Sequence, residues 1–132
     1  MNKAWLLGMI GYPCLELLWR GRTHLSMALA GGMSCAAICR CAQGQGGLPR
    51  RALKGACAVT AIEYAVGRLF NRRHQIWDYR GLRGHIQGQI CPQYFLAWCL
   101  LSGVVIGASG LWPGLARRPR RSARRLPWNH TR

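Results

Sequence analysis

The feature that most constrains this chain is a stretch of 33 residues, from Gly84 to Ala116, without a formal charge. Three more apolar runs precede it, and short clusters of arginine separate the runs. This alternation is typical of a protein that crosses a membrane several times. The chain carries 19 Lys and Arg against three acids, whereas a soluble domain normally mixes both signs on its surface. We therefore expect an integral membrane protein.

The strong positive charge has a second interpretation. A net charge of +16 and a pI near 11.2 also fit a cationic protein that binds nucleic acid. Such a protein has no need of a long uncharged stretch. The sequence therefore argues against nucleic acid as a partner and favours the lipid bilayer.

The four apolar runs predict an all-α membrane bundle of about four transmembrane helices. Each run is near the ~20 residues that cross a ~30 Å hydrocarbon core. The predicted spans are residues 4–19, 23–40, 52–70 and 90–112, within a helical domain of residues 1–115. A loop at the membrane interface is expected between the third and fourth spans.

The end of the chain, residues 116–132, is a basic tail with seven arginines. We expect it to be disordered or to lie on anionic lipid headgroups. With four spans, twelve Lys and Arg fall on the side of the two termini and seven on the other side. Because basic residues concentrate in cytoplasmic segments, both termini are predicted to be cytoplasmic.

Two acids inside the apolar runs are the candidate functional residues. Glu16 precedes Arg20 by four residues, which is one helical turn, so an interfacial ion pair is expected. Glu63 lies deeper, where an acid costs about 2.5–3.5 kcal/mol on insertion scales. It should therefore be protonated, or pair with a basic residue on another helix. The structural alternative is a helix-to-helix hydrogen bond through Glu63 or Tyr64.

The third acid lies in Trp77-Asp78-Tyr79, between the third and fourth spans. Aromatic rings are favoured at headgroup depth, so this motif predicts an interfacial clamp with an anchoring role rather than a catalytic one. Asp78 is expected to find partners in the turn that follows: the backbone amides near Gly81 and Gly84, or the side chains of Arg80 and Arg83.

The seven cysteines form no CxxC pair, and most lie inside apolar runs. They are interpreted as reduced, buried thiols rather than as a metal site or a disulfide framework. There is no phosphate-binding loop and no HExxH motif. The sequence therefore predicts neither an enzyme nor a cofactor, and any ATPase that drives this protein must be a separate polypeptide.

Several short segments occur in a distinctive order between about residues 8 and 103: Gly11-Tyr12, residues 16–24, Ser26-Met27, Ala30-Gly31-Gly32, Glu63-Tyr64, Gly67, Trp77-Asp78-Tyr79, Gly88-Gln89-Ile90-Cys91 and Trp98. In this order they resemble the ABC-transporter permease, or type IV ABC-transporter, family of small bacterial multi-span membrane proteins. Gly88, Cys91 and Trp98 are family-motif positions in that comparison. The chain departs from the family at residues 83–87, where such proteins tend to carry a Pro-Phe-Asn-Leu-type segment.

The resemblance implies a permease-like transport component in a bacterial plasma membrane, without naming a substrate or catalytic residues. Four short spans make a small pathway, so a second copy, other transporter subunits or a separate ATPase are the implied partners. The alternative is a non-transporting membrane scaffold or partner-binding subunit. Its helices would pack through four glycines: Gly31, Gly32, Gly103 and Gly107.

Overall fold

The computed structural model describes residues 3–111, and within them the chain forms four helices and no strand apart from one isolated bridge. The helices are α1 (Lys3–Arg20), α2 (Leu25–Ala42), α3 (Leu48–Phe70) and α4 (Pro92–Ser109). The all-α prediction is confirmed. The largest difference in position is at α3, which begins four residues before the predicted span because Pro49 occupies its first turn. The predicted basic tail lies outside the described residues.

Two of these helices, α2 and α4, are long and apolar enough to cross a membrane. The other two carry more charge. In α1 the charged residues are Lys3, Glu16 and Arg20, and in α3 they are four basic residues and Glu63. Composition alone therefore supports two membrane-crossing helices in the part of the chain that the structure describes, fewer than the four predicted.

The helices run up and down, with α2 in the middle. The backbone of α2 comes close to the other three helices and that of α3 also to α4, whereas the backbone of α1 comes close only to α2. The crossing of α1 and α2 is very close, since a Cβ atom on Gly8 or Gly31 would overlap the carbonyl oxygen of the other. Gly32 faces Trp5 in the same interface. Small residues allow this approach of two backbones.

The close contact between α3 and α4 does not lie at Gly103 or Gly107, the two glycines of α4 through which the scaffold alternative expects helices to pack. It lies at Gly55, where an added Cβ would come within 2.8 Å of the Ser102 hydroxyl. Gly103 has only an ordinary contact with Ala52, at 3.9 Å, and Gly107 has nothing within 4 Å. The expected packing role therefore holds for Gly31 and Gly32 in α2, and Gly107 faces outward.

The fold exposes many large apolar side chains and buries several polar ones. Large apolar side chains cover the outside, with Leu18, Trp19 and Leu100 more than 70% exposed. Carboxylate and amide side chains are buried, among them Glu63 and Asn71. An apolar exterior of this kind marks a surface that contacts lipid or protein.

Candidate functional site

The site is centred on Glu63, whose position in α3 follows from helical spacing. The buried residues Ala56, Val59, Glu63 and Val66 recur at three- and four-residue intervals, so they share one face of the helix. That face packs against α2 and α4. Glu63 consequently points into the bundle and is only 7% exposed.

Both carboxylate oxygens of Glu63 accept a hydrogen bond from an aromatic side chain. The Tyr79 hydroxyl donates to Oε1 at 2.8 Å, and the Trp98 indole N–H donates to Oε2 at 2.9 Å. Burial raises the pKa of the Tyr79 phenol, with a further contribution from Glu63, so Tyr79 keeps its proton and remains a donor. The contact between Glu63 and Trp98 is a helix-to-helix hydrogen bond of the kind that the structural alternative expects. Among the described residues, no basic side chain forms an ion pair with Glu63.

Aromatic rings surround the carboxylate. Tyr79 and Tyr94 stack, with ring centroids 4.3 Å apart and planes 19° from parallel. Trp98 lies 6.4 Å from Tyr94 and 6.1 Å from Tyr12, tilted toward both. These separations are those of favourable aromatic pairs. The shell joins α1, α4 and the loop after α3 around one acidic group.

Asn71 organises the loop that carries Tyr79. It follows the last residue of α3 and is 1% exposed. Its Oδ1 accepts a bond from the Ile76 amide at 2.9 Å, and its Nδ2 donates to the Trp77 carbonyl at 2.6 Å. Gln89 returns a bond from Nε2 to the Asn71 carbonyl at 2.9 Å. The two ends of the loop are thus tied together beside Glu63.

Trp77 and Tyr79, the two rings of the predicted interfacial clamp, lie inside the fold. Each is only 4% exposed, so their rings face the protein interior. Trp77 donates its indole N–H to the Gln89 carbonyl at 3.0 Å, and Tyr79 donates its hydroxyl to Glu63. Asp78 alone points outward, because successive residues of an extended segment face opposite sides.

The partner of Asp78 is Arg80, one of the candidates in the sequence. The guanidinium donates to both carboxylate oxygens, with Nη2–Oδ2 at 2.7 Å and Nε–Oδ1 at 2.9 Å. The Arg80 amide adds a bond to Oδ1 at 3.0 Å. These contacts hold the pKa of the Asp78 carboxyl well below its usual range. The pair is an exposed contact within the loop.

Glu16 forms a second acidic position near the same end of the bundle. Its Oε1 lies 3.7 Å from Nη1 of Arg20, which is the expected pair one turn apart, and its Oε2 accepts a bond from the Thr23 hydroxyl at 2.8 Å. The same Arg20 nitrogen donates to the Ile76 carbonyl at 3.3 Å. Arg20 therefore connects α1 and Glu16 to the loop that holds Tyr79.

A cavity of about 210 Å³ opens beside Glu63, between α1 and α4. Its walls are mainly apolar and include Leu7, Leu15 and Val105, while Glu63 and Trp98 form part of its lining. A small apolar cavity with a few convergent polar groups is the usual form of a small-molecule site. The arrangement can bind a small group, or release and accept a proton, at a carboxylate shielded from water.

Of the family-motif positions, Trp98 belongs to the site directly. Gly88 has a φ of 65° and packs closely on His74 and Arg80, so a side chain there would be strained and crowded. Cys91 is buried and occupies the N-cap position of α4, without a capping hydrogen bond from its side chain.

All seven cysteines are free, but the expectation that they are buried holds only for Cys39 and Cys91, since Cys14 and Cys57 are exposed and the other three are half-buried. No cluster suited to a metal ion occurs among residues 3–111.

Four residues of the network were not candidates in the sequence: Tyr12, Asn71, Gln89 and Tyr94. The sequence contains a signal for two of them, Asn71 and Tyr94. Asn71 is a polar residue directly after an apolar helix, a position where side chains bond to free backbone groups. Tyr94 precedes Trp98 by one helical turn, so both rings lie on one face of α4.

Comparison with known proteins identifies a family. The model of the family described as Putative ABC-transporter type IV matches residues 13–120, which include Glu16, Glu63, Asp78 and Trp98. The match confirms the resemblance predicted from the short motifs. No curated protein and no solved structure matches the chain.

Proposed function

Because the chain belongs to the ABC-transporter type IV family, we propose that it is a permease-like component of a membrane transport system with Glu63 as its functional group. One observation carries this proposal. A buried carboxylate, held by Tyr79 and Trp98, lies in the wall of an apolar cavity between two helices. Ionisable groups inside a membrane protein mark substrate, ion or proton pathways.

The proposed setting is a bacterial plasma membrane crossed four times, with both termini in the cytoplasm. The exposed apolar side chains of α1, including Leu18 and Trp19, support this setting because they would otherwise face water. The charges of α1 and α3 are compatible with it. Long basic side chains near the helix ends can reach the interface, and the two acids are buried and hydrogen-bonded.

The working movement we propose is a displacement of α1. The backbone of this helix comes close to α2 alone, so the cavity between α1 and α4 can widen without separating α3 from α4, provided that the Tyr12–Trp98 and Arg20–Ile76 contacts give way. A substrate or proton that reaches Glu63 then competes with Tyr79 and Trp98 for its oxygens. The loop after α3 responds, because Tyr79 belongs to it.

The proposed energy source is a separate ATPase. The chain contains no nucleotide-binding signature, and four short helices enclose little space, so further subunits or a second copy are expected to complete the pathway. Co-purification of the tagged protein from native membranes tests this arrangement. Recovery of an ATP-binding subunit supports it, and a protein that is always recovered without one argues against it.

Glu63→Gln tests the proposed role of the carboxylate. A strain lacking the protein is grown on panels of nutrients and toxic compounds, and the resulting defect is complemented with variants. We expect wild type and Tyr64→Phe to restore growth and Glu63→Gln to fail, at equal amounts in carbonate-washed membranes. Tyr64 is a matched control because its hydroxyl bonds only to Gln87 on the outside of the fold. Full complementation by Glu63→Gln would refute the proposal.

The scaffold alternative also has an observation in its favour. Gly107 lies on the outer face of α4 with open space around it, which leaves room for the helix of a partner. If the protein acts through such a partner, Gly107→Leu should abolish co-purification while the fold stays intact. Retention of all partners in that variant would remove this alternative.

A further inference from the structure

A second cleft, distinct from the Glu63 cavity, lies at the end of the bundle where α1 and α3 finish. Its volume is about 390 Å³, and it is enclosed by the turn between α1 and α2 and by the chain after α3. Three arginines line it: Arg22, Arg72 and Arg73. All three are exposed. The cleft therefore combines a concave shape with strong positive charge.

These arginines have no carboxylate side chain left to neutralise them. The chain has only three acids, and each is already bonded to side chains other than these arginines. Glu63 bonds to Tyr79 and Trp98, and Asp78 binds Arg80. Glu16 does line the cleft, but it is only 8% exposed and is held by Arg20 and Thr23. None of the three arginines forms an ion pair with an acid of residues 3–111, so their charge is available to an anion from another molecule.

The backbone around the cleft adds to its preference for an anion. α2 begins beside it, and His24, which lines the cleft, is the N-cap of that helix. The N-terminus of a helix carries a partial positive charge. One arginine is also held in place, since Arg72 donates from Nε to the Arg68 carbonyl at 3.0 Å. Planar guanidinium groups are well suited to binding phosphate oxygens.

Apolar side chains at the edge of the cleft favour an anion that also carries an apolar group. Leu69 and Phe70, the last two residues of α3, line the cleft and are 66% and 52% exposed. Both belong to the exposed large apolar side chains of the bundle. We propose that this cleft binds the phosphate of an anionic phospholipid, with Leu69 and Phe70 against the start of an acyl chain.

The test uses the purified full-length protein in detergent. Soluble short-chain phosphatidylglycerol and phosphatidylcholine are titrated separately, and native mass spectrometry reports the bound lipid. The test variant is Arg22→Gln/Arg73→Gln, because neither side chain has a hydrogen bond or ion pair within residues 3–111. The control is Arg50→Gln/Lys54→Gln, which removes the same charge from exposed positions at the other end.

We expect wild type to prefer phosphatidylglycerol, and the test variant to lose about 30-fold in affinity for it, as two basic side chains near a lipid surface predict. The control should retain the preference. Equal affinity of wild type for the two lipids, or an equal loss in the control, would overturn the proposal. Displacement of the lipid by inorganic phosphate at similar concentrations would also overturn it, in favour of a soluble anion.

Discussion

The hydroxyl of Tyr79 donates a hydrogen bond to Oε1 of Glu63 across 2.8 Å, so the loop between α3 and α4 is attached to the interior of the bundle. This contact makes the loop part of the core rather than a cover over it. The opposite oxygen of Glu63 is held by Trp98 of α4. One carboxylate therefore joins the third helix, the fourth helix and the segment that connects them.

Removal of the Tyr79 hydroxyl should weaken the fold. We expect Tyr79→Phe to lower the free energy of unfolding by about 1–3 kcal/mol, since a buried carboxylate oxygen loses its donor. Tyr64→Phe removes an exposed hydroxyl bonded to Gln87 and should change stability by less than about 0.5 kcal/mol. Unfolding in detergent, followed by intrinsic tryptophan fluorescence, measures both. An equal effect of the two substitutions would contradict a central role for the Tyr79–Glu63 bond.

Gly67 is the position in α3 where a methyl group has no room. A Cβ there would overlap the side-chain oxygen of Gln89 and come within 3.0 Å of the Trp77 ring. Gly67→Ala should therefore destabilise the protein by about 1–3 kcal/mol, as overpacking of a core does. Gly107→Ala is the matched control in α4, where nothing lies within 4 Å. It should be neutral or stabilising by up to about 1 kcal/mol. The melting temperatures of both variants decide the comparison, and a stable Gly67→Ala protein would show that the loop does not pack as described.

Loss of the Asn71 amide should release the loop. Asn71→Ala leaves the Trp77 carbonyl and the Ile76 amide without their partner, at about 1–3 kcal/mol for each buried group left unsatisfied. Gln93→Ala serves as its control, because Gln93 makes one exposed bond to the Arg83 carbonyl. Limited proteolysis between α3 and α4 reports the release directly. Cleavage should be faster in Asn71→Ala alone, and unchanged cleavage would count against the role assigned to Asn71.

The Asp78–Arg80 pair predicts a defined response to acid. Arg80 lowers the pKa of Asp78 in the folded protein. The pair therefore stabilises the fold above the unfolded-state pKa of about 3.9, and this stabilisation is lost as the pH falls through the lower, folded-state pKa. Wild type should melt at a slightly higher temperature than Asp78→Asn. This difference should be the same at neutral and mildly acidic pH, and it should shrink only in strong acid. A difference that disappears near neutral pH would show that the pair is absent.

Much of the fold was predictable, because apolar runs of helical length leave few alternatives. The Glu16–Arg20 pair followed from spacing within one helix, and the interior position of Glu63 followed from its place in an apolar run. The site as a whole was not predictable from such local rules. Asn71 and Gln89 are eighteen residues apart and bond to each other, and only the path of the loop brings them together.

The orientation of Trp77 and Tyr79 shows a further limit of sequence reasoning. Two rings between apolar helices fit a headgroup belt, and their residue types do not distinguish that setting from a buried one. The acceptors inside the protein determine the orientation of the rings. The Gln89 carbonyl accepts a hydrogen bond from Trp77, and the Glu63 carboxylate accepts one from Tyr79. A polar ring whose partner lies inside the protein turns inward.

The order of the contacts around Glu63 has a consequence for biosynthesis. Both donors to its carboxylate, Tyr79 and Trp98, come later in the chain than Glu63 itself. The ribosome therefore completes α3 before either partner exists, and the nascent helix carries an acid without its final hydrogen bonds. If α3 crosses the membrane as proposed, its release from the insertion machinery should wait until α4 has been synthesised, so that the two helices enter the bilayer as a pair.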